Sequence, residues 1–184
     1  MADRNTDLDL GDLHTAIETT IRAAFPALQL VEFYSDVRDH LPMPACLLEL
    51  TELEAAPEID PGSEQLAVNA RFEARFVLGF QTPKARLEVR KLAAAFAAWL
   101  RKNQRAWGLP TGPAQVIGAY QDDFYPKLDQ FEVWRVEWVQ VLHLGIGIWT
   151  DTTGDIDPST LNPSFGYAPD VGSGNEDKYE EVKL

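Results

Sequence analysis

Between Gln65 and Gln81 the chain alternates. Leu66, Val68, Ala70, Phe72, Ala74, Phe76, Leu78 and Phe80 take every second position, and Gln65, Asn69, Arg71, Glu73 and Arg75 stand between them. Period two marks a strand with one buried face. At about 3.3 Å per residue a straight run of this length spans roughly 55 Å. A compact chain of this size has a radius of gyration of roughly 16 Å, hence a diameter of about 40 Å. A strand longer than its own body either lies against a neighbouring subunit or bends around its own helices. The pattern alone allows both.

Helical spacing appears twice. Leu10, Leu13, Ile17, Ile21 and Ala24 draw one apolar stripe from Asp9 to about Ala24, where Pro26 ends it. Thr82-Pro83 reads as a second helix start, with a hydroxyl N-cap and proline in the first turn. Leu92, Ala95, Phe96, Trp99 and Leu100 form its expected buried stripe, and Lys84, Arg86, Arg90, Lys91, Arg101 and Lys102 gather much of the basic charge. Further strands are expected at Leu28 to Tyr34, at ACLLELTEL from Ala45, at AQVIGAYQDDFYP from Ala114, and from Phe131 to Trp149. In the last, Trp134, Val136, Trp138, Leu142, Leu144, Ile146 and Ile148 share a face. ACLLELTEL is apolar on both faces at its start, which places it inside a sheet.

Residues 52 to 64, ELEAAPEIDPGSE, hold Glu52, Glu54, Glu58, Asp60 and Glu64 with two prolines and a glycine. They are expected to form a loop between strands. From Asp151 the chain is rich in Gly, Pro, Ser and acid, with scattered apolar residues. The expectation is one α+β domain over residues 1–149: an antiparallel or mixed sheet of four to five strands with two helices packed on one face. An extended C-terminal tail over residues 150–184 follows, with Phe165, Tyr167 and Tyr179 as anchors on a partner.

Charge narrows the functional classes. A net charge of −13 argues against gripping nucleic acid or an anionic membrane, both of which need clustered Lys and Arg. The single cysteine, Cys46, excludes an internal disulfide and has apolar neighbours, as a buried inert thiol would. The N-terminus lacks the basic and apolar regions of a signal peptide, and LAAAFAAWL is too short to span a bilayer. These features predict a soluble protein made in a cytoplasm.

Chemistry-bearing patterns are sparse. His14, His40 and His143 stand far apart with no zinc spacing. Asp151, Asp155 and Asp157 offer oxygens, but their glycine is misplaced for a calcium loop. Asp122-Asp123 are candidates for a magnesium-dependent nuclease only if a turn brings both to one side, since adjacent strand residues point oppositely. The periodic setting of Trp99, Trp134 and Trp138 reads as core packing. No catalytic group, cofactor or metal site is expected.

The layout resembles the tail terminator proteins of long-tailed bacteriophages, notably the Mu-like group. The segments that carry the resemblance are LHTAIETTIRAAFPAL, PACLLELTELE, NARFEARFV, ARLEVRKLAAAFAAWL and FEVWRVEWVQVLHLG, together spanning residues 10 to 149. It implies a homo-oligomeric ring, of six subunits in that family, at the head-proximal end of a virion tail assembled in the host cytoplasm. Such a ring caps the tail tube, ends its polymerisation and offers a surface to the head–tail connector, while DNA crosses it without specific binding. On this reading Arg71, Glu73 and Arg75 face a neighbouring subunit, and the acidic loop docks on the tube or lines the lumen. Another tail or head–tail joining component remains an alternative, as does the nuclease using Asp122 and Asp123.

Overall fold

Asp9 sits in extended backbone and its carboxylate accepts from the amides of Gly11 and Asp12, at 2.7 and 3.0 Å. This N-cap starts helix α1, Leu10–Ala24, whose Leu13, Ile17 and Ile21 are buried. In this computed structural model the described residues are 8–34, 41–60, 62–122, 131–147, 164–165, 175, 178 and 180–181. The chain divides into two units, Met1–Thr150 and Asp151–Leu184.

In the first unit α1 leads to strands β1 (Leu30–Phe33) and β2 (Ala45–Ala55), a 3-10 turn at Pro57–Ile59, and β3 (Leu66–Gly79). Helix α2 (Ala85–Lys102) and strands β4 (Gln115–Gln121) and β5 (Phe131–Leu144) complete it. The five strands form one sheet in the order β1-β2-β3-β5-β4. The sheet is mixed, because β1 runs parallel to β2 while every other pair is antiparallel. The fold class is therefore α+β.

Strand β3 lies at the centre and is paired along both edges. Val68 to Val77 face β2, and Leu66 to Gly79 face Leu144 to Phe131 of β5. Its fourteen residues thus find their backbone partners within the chain. Strand β2 shifts register between Leu50 and Glu52, an extra residue of the kind that kinks and twists a ladder.

The even-numbered residues of β3, Val68 to Leu78, join Val136, Trp138 and Leu142 of β5 in one core with α1 and α2. Both helices accordingly cover the same face. Phe96 of α2 stands at the centre of that core, with its ring 5.2 to 5.9 Å from the rings of Phe25, Phe76, Trp99 and Trp138. On the opposite face a smaller cluster gathers Leu41, Ala45, Leu47, Val77 and Val133.

Several local expectations need correction. Thr82 does not cap α2. The helix starts at Ala85 behind Lys84, which is left-handed at φ 59°, because Gly79 to Thr82 and Thr82 to Ala85 first close two tight turns. The buried stripe of α2 is Ala85, Val89, Ala93, Phe96 and Leu100, so Ala95 is exposed and Trp99 half-buried. Strand β5 stops at Leu144, because Gly145 at φ 95° turns the chain and Ile146 is exposed. Residues Asp123, Tyr125, Ile148 and Trp149 lie outside the described set. Among the described residues no helix is long and apolar enough to cross a membrane.

In the second unit Ser164–Phe165 pairs antiparallel with Glu180–Glu181. The proposed anchors Tyr167 and Tyr179 lie outside the described residues, as do Asp151, Asp155 and Asp157.

His14 on α1 packs its ring 4.1 Å from Phe33, and its buried Nε2 has no hydrogen-bond partner. Burial lowers its pKa, outweighing the opposing pull of Glu18 and Asp9. Between that lowered value and the ordinary value near ~6.5, the unfolded chain binds the extra proton, so stability falls as pH falls through this window. In His14→Phe the fall across that window is expected to be smaller, as urea midpoints measured at several pH values would show.

Candidate functional site

The face of the sheet away from the helices carries alternating charges at its middle. Arg75 is their hub. Its guanidinium meets Asp122 Oδ2 at 2.8 Å and also binds Glu49 and Glu73. Arg135 bridges Glu73 at 3.4 Å and Glu137 at 2.8 Å. Arg71 reaches Glu52 at 3.0 Å and Glu137 at 3.7 Å. Register explains the arrangement, since Glu49, Glu73 and Glu137 form one row across three strands and Arg75 and Arg135 the next. Each like-charged row is neutralised by the row beside it.

Burial makes the network demanding. It pushes the Glu73 carboxyl above the usual range despite Arg75 and Arg135. Burial would lower Arg75, but hydrogen bonds to Glu49 and Asp122, with the charge of Glu73, outweigh it and hold the pKa up. Arg71, Glu73 and Arg75, the residues expected at a subunit interface, each have a counter-charge in their own sheet.

The acidic segment also differs from expectation. Glu52 and Glu54 belong to β2, opposite Arg71 and Asn69 of β3, and only Glu58, Asp60 and Glu64 occupy the 3-10 turn and the loop after it. Antiparallel pairing with β3 holds one edge of β2 through Ala55, which keeps Glu52 and Glu54 in strand conformation with their carboxylates in solvent. All five are exposed. Leu53, Ile59 and Leu66 are exposed among them. Strand β1 covers β2 only from Ala45 to Leu48, and beyond that point the outer edge of β2 has no strand partner among the described residues.

At the other end of β3 the chemistry reverses. Phe80 and Leu87 are exposed, and a shallow depression joins them to Lys84, Arg86 and Glu132, the last two paired at 3.0 Å. Lys91 lies one turn further along α2, also exposed. The sequence marked these basic residues but assigned them no role. Exposed apolar residues at Phe80 and Leu87 were the missing signal.

Catalytic readings gain little from this geometry. Asp122 is committed to Arg75, and Asp123 lies outside the described residues. Among the described residues no group of three or more His, Cys, Asp or Glu converges to hold a metal ion. Cys46 is buried and its thiol pKa is pushed up by burial.

What the first unit defines is an α+β fold on one five-stranded sheet, with a helix-covered face and a charge-paired face. No protein-family model and no curated protein sequence matches the chain. Among solved structures it is similar to the sheath/tube terminator of an extracellular contractile injection system, PVC, in its extended state. That similarity has 12% identity and a TM-score of 0.43, over 88% of this chain and 66% of that chain.

Proposed function

We propose that the protein is a structural component of a tail-like particle, a terminator that assembles as a ring on the end of the tail tube and stops its growth. The observation that carries this reading is the arm formed by the far ends of β2 and β3. From Thr51 to Ala55 every residue is exposed, one strand edge has no partner among the described residues, and Leu53, Ile59 and Leu66 face solvent. Open edges and exposed apolar residues favour pairing with other chains and are normally covered. The layout of residues 10–149, which resembles phage tail terminators, supports the same reading, with six subunits as the expected ring and the head–tail connector on its outer face. The protein then sits in the particle at the tube end and acts without catalysis.

Light scattering and negative-stain imaging, with and without purified tail tubes, test the proposal. Closed rings that cap tubes and limit their length are expected. A tube component would instead grow into filaments. A chain that stays monomeric at high concentration and leaves tube growth unchanged is not a terminator.

A further inference from the structure

Strand β3 separates two surfaces that match each other and cannot meet within one chain. At its start, Leu53 and Leu66 are exposed on one face of the sheet and Glu54 and the Arg71-paired Glu52 on the other, while Glu58, Ile59, Asp60 and Glu64 are exposed in the turn and loop that follow β2. Beyond its end, exposed Phe80 and Leu87 are flanked by Lys84, Arg86 and Lys91. Arg86 meets Glu132 at 3.0 Å and Lys91 meets Glu88 at 2.8 Å, so the cations outnumber the acids there and an acidic partner competes for Arg86 and Lys91. Fourteen residues of antiparallel strand hold the two ends roughly 45 Å apart. An apolar centre with a charged rim is the anatomy of a protein interface, and opposite rims select the partner.

We infer that the acidic arm of one copy docks on the basic start of α2 in the next copy. The inference rests on the ring reading above and names its contact. Three points favour a second copy of this chain. Both halves of the complementary pair are present on every subunit. A chain of net charge −13 repels its own copies unless opposite charges are concentrated where they touch. Finally, the two surfaces differ, so the contact is head-to-tail, and such contacts close into rings when the rotation between neighbours allows it. The long strand is then the spacer that keeps a subunit from satisfying its own arm. The charged row at Arg75 holds that spacer together, and the ends make the contact.

Charge reversal and rescue test the contact. Glu54→Lys with Glu58→Lys reverses the arm, and Lys84→Glu with Lys91→Glu reverses the helix. None of these four residues belongs to the network around Arg75, and each variant is first required to melt like the wild type. Assembly is followed by light scattering against protein concentration, with tube ends present. Each pair alone is expected to raise the concentration needed for ring formation by about tenfold or more, because like charges then face each other. Mixing the two variants, or joining all four changes in one chain, is expected to restore assembly to within a few-fold of the wild type. Added salt should weaken the wild-type ring, since the rim charges are screened.

The contact is overturned if both reversed variants assemble as readily as the wild type, or if the four-fold variant is not rescued. It is also overturned if the arm variant forms normal rings that no longer bind tubes, which would assign the arm to the tube. A wild-type chain that never assembles, even with tube ends, removes the ring reading itself along with this contact.

Discussion

Arg75→Ala is expected to lose about 3–5 kcal/mol of unfolding free energy, the usual cost of removing one partner from a buried ion pair. The side chain of Arg75 is only 12% exposed, and it neutralises Asp122, whose side chain is 4% exposed, and Glu73. Without the guanidinium these carboxylates stay buried with less compensation, and Glu73 is already held above its ordinary range by burial. Arg135 still reaches Glu73, which keeps the loss from growing further. Arg71→Ala supplies the contrast. Its side chain is 35% exposed and its Glu52 partner 50%, so the expected loss is about 0–1 kcal/mol. Urea unfolding of both variants at neutral pH measures the difference, and equal losses would refute the ranking. Reversing Arg75 is for this reason a poor probe of subunit contacts, because it attacks the fold first.

Phe96→Ala is expected to cost a similar amount, about 3–5 kcal/mol, as for other large core side chains cut to alanine. The residue is fully buried, and its ring touches Phe25 after α1, Phe76 of β3, Trp99 of its own helix and Trp138 of β5. Truncation leaves a cavity among rigid aromatic rings, which collapse poorly around a void. Leu87→Ala, on the exposed side of the same helix, is expected to change stability by less than about 0.5 kcal/mol. Guanidinium unfolding followed by tryptophan fluorescence distinguishes them. A small loss at Phe96 would mean that the aromatic cluster repacks freely.

The sequence by itself determined the elements with strong periodicity. The stripe of α1, the alternation of β3 and the apolar start of β2 each follow from one local pattern that burial enforces, so the α+β class and the helices on one face were legible. The length of β3 was legible too, although its cause was not. Periodicity reports which face is buried and says nothing about what lies along the two edges.

Only the tertiary structure decided that β5 flanks β3 along its whole length and β2 flanks it from Val68 to Val77. Register pairing then turned Arg71, Glu73 and Arg75 into members of an internal network with Glu49, Glu52, Asp122, Arg135 and Glu137, residues up to 88 positions apart in the chain. Glu52 and Glu54 read as loop because prolines and acids follow them closely, yet strand pairing with β3 outweighs that local preference. Thr82 read as a cap because hydroxyl and proline match the pattern, while the tight turns after β3 postpone the helix to Ala85. Charge identity is local and can be counted from the sequence. Charge partnership depends on which strands lie side by side, and that is settled by long-range pairing.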